Sequence, residues 1–280
     1  SWTMKKDAST ILAFLLVVYP LVVAAANLTQ EYVIFQSRGV YSPPPRGMAI
    51  DTLELTTPDG ERLQAWWLRT PHACRTVLYF QENGTNISHR TSRLKTLQKM
   101  GVDALLIDYR GYGNSTGRIR TEQDIYTDGM TAWNFLTVEN GIDPRTIIIW
   151  GRSLGGGVAA EIAQAKPIAA LVLEATFSSL DDLARRRYWF LPIGSFLKFH
   201  FANGAKLDKV TAPTIIIHSR DDDYIPFSQA IKLYEAATGE KYLLKSAGSH
   251  LDRFDTQEAL VAVLMHRLGL ETCCRPPTAT

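Results

Sequence analysis

The sequence predicts an α/β protein with a mostly parallel central sheet. Short apolar runs, TVLYF, ALLIDY, TIIIW, ALVLEA and TIIIHS, recur along the chain with helix-length segments between most of them. Strands that are apolar without alternation are buried on both faces, so these runs indicate a parallel sheet covered by helices. The chain has 280 residues, 46% of them hydrophobic, which suffices for one large domain with an appendage.

The first element is a long apolar segment. No charged residue occurs from 8 to 30, the centre reads ILAFLLVVYPLVVAAA, and Lys5 and Lys6 stand in front of it. A cleavable secretory signal and a retained anchor helix both fit. The basic start and the three alanines at 24–26 suit a signal, whereas the uncharged length suits a membrane span if residues 27–30 sit at the interface. We favour the anchor, which predicts a single-pass membrane protein.

The rest of the chain divides into a connection, a folded domain and a tail. Three consecutive prolines keep the connection extended. A hairpin of two strands around Pro58-Asp59-Gly60 then opens the domain. The predicted organisation is an anchor at 1–30, a juxtamembrane connection at 31–48, a domain at 49–270 with a lid insertion at about 178–210, and a flexible tail at 271–280.

Charge and cysteine content exclude some classes of protein. The net charge is +2, and no run of basic residues is interleaved with aromatic ones, so nucleic acid is not an expected partner. Cys74, Cys273 and Cys274 form neither a metal-binding spacing nor an even disulfide framework. Membrane orientation stays open, because Arg38 and Arg46 offset the two N-terminal lysines.

A candidate nucleophile follows the run TIIIW. Gly151-Arg152-Ser153-Leu154-Gly155 is a G-x-S-x-G motif between a predicted strand and the helical segment VAAEIAQA. A sharp turn presents the serine there, and small neighbours let the helix approach the strand. A glycine-rich turn that cradles a phosphate is the alternative interpretation. The strand before the motif and the helix after it favour a nucleophile.

A base and an acid are expected further along, at the carboxyl ends of later strands. His250 lies in the small-residue loop SAGSHLD after the strand KYLLK, whereas His218 ends a strand and is expected to be packed. We expect no catalytic role for the other histidines, which are His72, His89, His200 and His266. The chemistry leaves the acid open among four carboxylates, Asp221, Asp222, Asp223 and Glu174.

Six ordered blocks of this chain resemble the α/β-hydrolase family, and more closely its Bem46-like branch, which includes the membrane-associated α/β-hydrolase domain-containing types 13 and 17. The blocks are NxxNISHR at 83–90, DYRGYGNSTG at 108–117, GRSLGG at 151–156, LEATFSSL at 173–180, HSRDDDYIP at 218–226 and GSHLD at 248–252. The resemblance implies an α/β-hydrolase fold with helices on both faces of the sheet and a short lid. It also implies Ser153 as nucleophile, His250 as base and Asp222, four residues before a proline, as acid.

The resemblance also predicts an oxyanion hole. One N–H donor would come from Leu154 and another from Asn83, in the loop FQENGTN after TVLYF. Relatives usually have His-Gly where this chain has Gln81-Glu82. Glutamate restricts a backbone position that needs a positive φ, and a carboxylate beside an oxyanion is unfavourable unless it is neutralised. We therefore expect Glu82 to turn aside and pair with Arg152 or Arg110.

The predicted lid carries three arginines at 185–187, followed by YWFLPIGSFLKFHF. Such an aromatic patch with flanking cations suits a membrane interface or an acyl-chain pocket, while an ordinary lid packed on the domain is the alternative. A bilayer contact through 185–201 is therefore a prediction that depends on the anchor.

These features together predict a membrane-anchored serine hydrolase that cleaves an acyl ester or thioester, with a lipid or a lipid-modified molecule as substrate. No metal or organic cofactor is implied. A catalytically impaired relative that binds acylated ligands is the rival hypothesis, and Glu82 is its support. A dehalogenase or an epoxide hydrolase is disfavoured, because those enzymes use an aspartate nucleophile where this chain has Ser153.

Overall fold

The computed structural model describes residues 9–37, 39–190, 192, 194, 197–252 and 254–273. The predicted tail beyond residue 273 lies outside the described residues. So do residues 191, 193, 195 and 196 of the predicted lid, and Lys5, Lys6 and Arg38, on which the membrane orientation depended.

One eight-stranded sheet forms the centre of the domain, in the order β1-β2-β4-β3-β5-β6-β7-β8. The strands are β1 Ile50–Thr56, β2 Arg62–Leu68, β3 Thr76–Phe80, β4 Asp103–Ile107, β5 Ile147–Arg152, β6 Ala170–Glu174, β7 Thr214–Ser219 and β8 Lys241–Ser246. The predicted hairpin is confirmed, since β1 and β2 pair antiparallel from Ile50 and Leu68 to Thr56 and Arg62. β2 also pairs antiparallel with β4, and all later pairings are parallel.

Helices cover both faces of this sheet. They are α1 Ser9–Ile34, α2 Thr91–Lys99, α3 Glu122–Asn134, α4 Gly155–Ala165, α5 Leu180–Arg187, α6 Phe227–Ala236, α7 Glu258–Arg267 and α8 Leu270–Cys273. Short 3₁₀ turns lie at Ile87–Arg90, Pro144–Thr146, Gly204–Lys209 and Phe254–Thr256, and π turns at Phe14–Val18 and Phe135–Glu139.

The alternation of side chains along the central strands produces two hydrophobic cores. Leu78 and Phe80 of β3 pack into one cluster, whereas Val77 and Tyr79 pack into the other. Every residue of β3 is buried, as the continuous apolar run predicts. The prediction of a mostly parallel sheet with helices on both faces is therefore confirmed.

Helix α1 has 26 residues, and its most apolar 18-residue window has a mean hydropathy of 2.4 and is not buried in the protein. By length and composition it can cross a membrane, a test that an N-terminal signal sequence also passes. Its last turns contact the domain: the chain leaves the helix at Phe35, whose ring meets Phe199 edge to face at 4.8 Å between centroids.

One feature was not predicted from the cysteine count. Cys74 is disulfide-bonded. Its partner is not among the side chains that the structure describes.

Candidate active site

Ser153 stands in a sharp turn between β5 and α4. Its φ is +51°, in the left-handed region that non-glycine residues rarely adopt, and its N–H donates to the Glu174 carbonyl at 2.9 Å. The neighbouring glycines are required by close backbone contact. A Cβ on Gly151 would lie 2.3 Å from the Gly155 carbonyl oxygen, and one on Gly155 would lie 2.1 Å from the Phe80 carbonyl oxygen. The sequence therefore forms a strand–turn–helix geometry of the kind that is typical of a nucleophilic serine.

The structure brings Ser153, His250 and Asp222 together at one edge of the sheet. They follow β5, β8 and β7, whose carboxyl ends meet there because these strands are parallel. The Ser153 Oγ lies 3.2 Å from His250 Nε2, and His250 Nδ1 lies 2.8 Å from Asp222 Oδ2. With its Nδ1 proton donated to the carboxylate, the imidazole presents an unprotonated Nε2 to the serine hydroxyl.

Asp222 is distinguished from its neighbours by burial and by its hydrogen bonds. Its side chain is 1% exposed, and its Oδ1 accepts from the Tyr224 and Ile225 amides at 2.9 and 2.7 Å. Burial raises the pKa of Asp222, but the hydrogen bonds from His250 and from these amides outweigh burial, so the pKa lies below its ordinary value. Asp223 instead accepts from the His250 amide at 3.1 Å.

The other candidates have structural partners. Glu174 is buried and accepts from Trp150, Arg93 and Arg152, at 2.7 to 3.1 Å. His218 is packed as expected, with its Nε2 donating to the Ile225 carbonyl at 2.8 Å, and burial lowers its pKa. Two further histidines pair with carboxylates, and a third contacts a carbonyl oxygen: His200 with Asp181, His266 with Glu271, and His89 with Val40.

The two predicted oxyanion donors lie beside the serine. Asn83 and Leu154 line one cavity of about 490 Å³ together with Ser153. The amides of Asn83 and Leu154 donate to no backbone carbonyl among the described residues. The side chain of Asn83 is occupied elsewhere, since its Oδ1 accepts from the Tyr112 hydroxyl at 2.5 Å and from the Gln36 amide at 3.0 Å. These side-chain contacts fix the position of the loop, and they leave the Asn83 N–H available as a donor.

Glu82 points into a group of arginines. Its Oε1 accepts from Arg90 Nη1 at 2.5 Å and from Arg152 Nη1 at 2.7 Å. The predicted pairing with Arg152 is confirmed. The prediction of Arg110 is wrong, because that guanidinium binds Asp59 and Asp128 on another part of the domain. The sequence interpretation missed Arg90, although it ends the motif NxxNISHR.

The backbone at Glu82 does not adopt a positive φ. The non-glycine residues with positive φ among those described are His72, Ser153, Ala175 and Phe201, so Glu82 needs no left-handed conformation. Burial raises the pKa of Glu82, but the charges of Arg152 and Arg90 outweigh burial and lower it. The Glu82 carboxyl is therefore ionised at neutral pH, and the positive charges of Arg90 and Arg152 neutralise its negative charge.

An ion-pair network lies behind Ser153. It joins Arg90, Arg93 and Arg152 to Glu82 and Glu174. Arg152 also donates from Nη2 to the His250 carbonyl at 2.7 Å, so the network holds the histidine loop in place.

The cavity beside Ser153 is mostly apolar. Phe177, Leu180, Leu183, Ile225 and Pro226 line it from the domain, and Ala26, Thr29, Gln30, Val33 and Ile34 line it from helix α1. No group of three or more histidine, cysteine or acidic side chains that could hold a metal ion is found in the described part of the chain. The arrangement suits nucleophilic attack on an acyl carbonyl whose chain lies in an apolar pocket.

Known proteins share both the sequence pattern and the fold. Residues 88–247 match the prolyl oligopeptidase family. The Mycobacterium tuberculosis protein Rv2307c is 34% identical over 201 residues, which are 70% of this chain and 70% of that protein. The human α/β-hydrolase domain-containing protein 17B is 30% identical over 193 residues, 67% of this chain and 64% of that protein.

A solved structure shows the same architecture. The Pyrococcus furiosus esterase Pf2001 superposes with a TM-score of 0.69 at 19% identity, covering 84% of this chain and 98% of the esterase. At that identity the likeness concerns the fold. The chain belongs to the α/β-hydrolase superfamily, in which it matches the prolyl oligopeptidase family and is related to the α/β-hydrolase domain-containing proteins.

Proposed function

We propose that this protein is a membrane-anchored serine hydrolase that cleaves an acyl ester or thioester of a lipid or a lipid-modified molecule. The observation that carries the proposal is the continuous hydrogen-bonded series from Ser153 Oγ through His250 to Asp222, with separations of 3.2 and 2.8 Å. The apolar cavity beside it and the apolar helix α1 support a lipid substrate and a membrane anchor.

The chemistry follows from this geometry. His250 Nε2 takes the proton of Ser153 as the hydroxyl attacks the acyl carbon, and Asp222 stabilises the imidazolium. The Asn83 and Leu154 amides donate to the oxyanion. The imidazolium returns its proton to the departing alcohol or thiol, which leaves an acyl-enzyme, and a water molecule deprotonated by the same imidazole hydrolyses it.

The rival hypothesis of a catalytically impaired relative loses its main support. That hypothesis depended on the carboxylate of Glu82 in the oxyanion loop, and the carboxylate pairs with Arg90 and Arg152 instead.

The experiment is covalent labelling of the full chain with a fluorophosphonate, which phosphonylates an activated serine. We expect labelling of the wild type and none of Ser153→Ala, together with turnover of acyl esters that rises with chain length. Equal labelling of both proteins would refute the proposed nucleophile. Equal turnover of acetate and long-chain esters would refute the lipid substrate.

A further inference from the structure

Helix α1 forms part of the catalytic cavity. Five of its residues between 26 and 34 line the same 490 Å³ space as Ser153 and Leu154. Val33 is 58% exposed, so this part of the wall is open surface. A helix that served only to tether the domain would have no reason to border the nucleophile.

The end of this helix is joined directly to the oxyanion loop. Asn83 donates from Nδ2 to the Ile34 carbonyl and accepts at Oδ1 from the Gln36 amide, and the Gly84 amide donates to the Gln36 carbonyl at 2.8 Å. These contacts fix the position of the helix end relative to Asn83, one of the two proposed oxyanion donors. The position of α1 relative to Ser153 is therefore set by the active site itself.

The lid lies along the same helix. The Tyr19 hydroxyl donates to the Phe190 carbonyl at 2.9 Å, and the buried Gln30 accepts from the Lys198 amide at 2.8 Å. Eleven residues separate the two helix positions, which is about 16 Å along an α-helix. Both elements also expose large apolar side chains, of which Trp189 of the lid is 82% exposed and Leu21 of the helix is 64% exposed. Lid and helix are therefore hydrogen-bonded to each other and both present apolar surface.

We propose that the last turns of α1 are a wall of the acyl-chain site, and that the hydrocarbon chain of a membrane lipid reaches Ser153 from the bilayer along the cleft between α1 and the lid. This inference rests on the proposed hydrolase function. The occupant is a lipid chain because the lining of the cleft is mostly apolar and includes α1, whose exposed surface is also apolar. Each methylene withdrawn from water there raises affinity up to about fourfold.

The first test uses the full-length protein in phosphatidylcholine nanodiscs and a fluorophosphonate that carries a hexadecyl chain with a diazirine near its end. Ser153 Oγ displaces fluoride from phosphorus, and irradiation then links the chain to whatever borders it. We expect crosslinks on the α1 peptide that contains residues 26–34. Crosslinks confined to the domain after residue 49 would overturn the proposal.

The second test changes the wall. Val33→Phe narrows the cleft at an exposed position, and Leu28→Phe is the matched control, because Leu28 is 70% exposed and does not line the cavity. We expect labelling by hexadecyl fluorophosphonate to fall about tenfold or more in Val33→Phe, with labelling by ethyl fluorophosphonate within about twofold of wild type. Leu28→Phe should match the wild type with both probes.

The outcomes separate the two proposals. If Ser153→Ala removes labelling but Val33→Phe leaves the ratio of hexadecyl to ethyl labelling unchanged, the wall is refuted and the hydrolase stands. If Ser153→Ala labels as well as the wild type, the hydrolase and the wall that rests on it both fall.

Discussion

Replacing Glu82 by glutamine tests whether its carboxylate serves the fold or opposes the chemistry. The side chain is 15% exposed and contacts two guanidinium groups, of which Arg90 is 7% exposed. Breaking a buried ion pair from one side costs about 3–5 kcal/mol. Glutamine keeps an acceptor oxygen, so we expect a loss of about 2–3 kcal/mol in the free energy of unfolding. For a domain of this size that corresponds to a fall in Tm of about 5–10 °C.

The pH dependence of this loss has a defined sign. The pKa of Glu82 is lowered in the folded state, so its charge stabilises the fold above the unfolded pKa, and that stabilisation is lost as the pH falls through the folded value. Thermal or urea denaturation of the wild type and of Glu82→Gln should show the full difference in the free energy of unfolding at pH 7. The difference should be smaller below about pH 4. Glu54→Gln is the matched control, because its pair with Arg62 is exposed and contributes about 0–1 kcal/mol.

The rate of Ser153 labelling in Glu82→Gln tests whether the carboxylate opposes the reaction. Because the carboxylate is already neutralised, we expect the rate of Ser153 labelling in Glu82→Gln to stay within about fivefold of wild type. If the carboxylate faced the oxyanion, it would oppose the attack, and its removal would raise the labelling rate by about a hundredfold. That factor is about the size of the effect of removing one oxyanion-hole donor. Such a rise, or a stability loss no greater than that of Glu54→Gln, would refute the reasoning.

Three further variants test other parts of the site. In Gly155→Ala the new Cβ would lie 2.1 Å from a backbone oxygen at the end of β3, so we expect labelling to be lost and stability to fall by about 3 kcal/mol or more, whereas Gly239→Ala, with its nearest contacts at 3.7 Å, should be tolerated. Burial raises the pKa of Asp108 to about 7, so stability falls as the pH rises from about 4, the unfolded value, to about 7, and Asp108→Asn should gain about 1–2 kcal/mol in urea denaturation at pH 8 and nothing below about pH 4. Arg152→Lys keeps a charge but loses the guanidinium group, whose three nitrogens donate to Glu174, Glu82 and the His250 carbonyl, and we expect labelling to slow by about tenfold or more.

Much of the fold could be predicted because its signals are local. The continuous apolar runs, the turn at Pro58-Asp59-Gly60 and the glycines around Ser153 each depend on neighbours in sequence. Parallel strands then bring their carboxyl ends to one edge, which is why Ser153, His250 and the aspartate loop meet without any long-range information being needed.

The ion pairs could not be predicted in the same way. Arg152 and Glu82 are 70 residues apart, and nothing in the sequence distinguishes Arg152 from Arg110 as a partner. Arg110 instead binds Asp128, which is 18 residues away on helix α3, and Asp59 in the turn of the hairpin. The part of α1 that lines the cavity was equally hidden, since its apolar pattern is continuous and marks no face of the helix for contact.

The loop FQENGTN illustrates how the polar residues after an apolar strand serve the site. The side chain of Gln81 donates to Asp108 at 2.7 Å, Glu82 pairs with two arginines, and Asn83 binds the end of α1. Each of these side chains binds a partner other than Ser153 and so fixes the loop. The proposed oxyanion contact needs only the backbone N–H of the loop, so the side chains are free for this role. A glycine at position 82 would leave the backbone free to move, whereas glutamate ties it to the arginines that also hold the histidine loop. Glu82, the residue that raised the suspicion of impaired catalysis, therefore connects its own loop to the histidine loop through Arg152, and its buried charge is paired with Arg90 and Arg152.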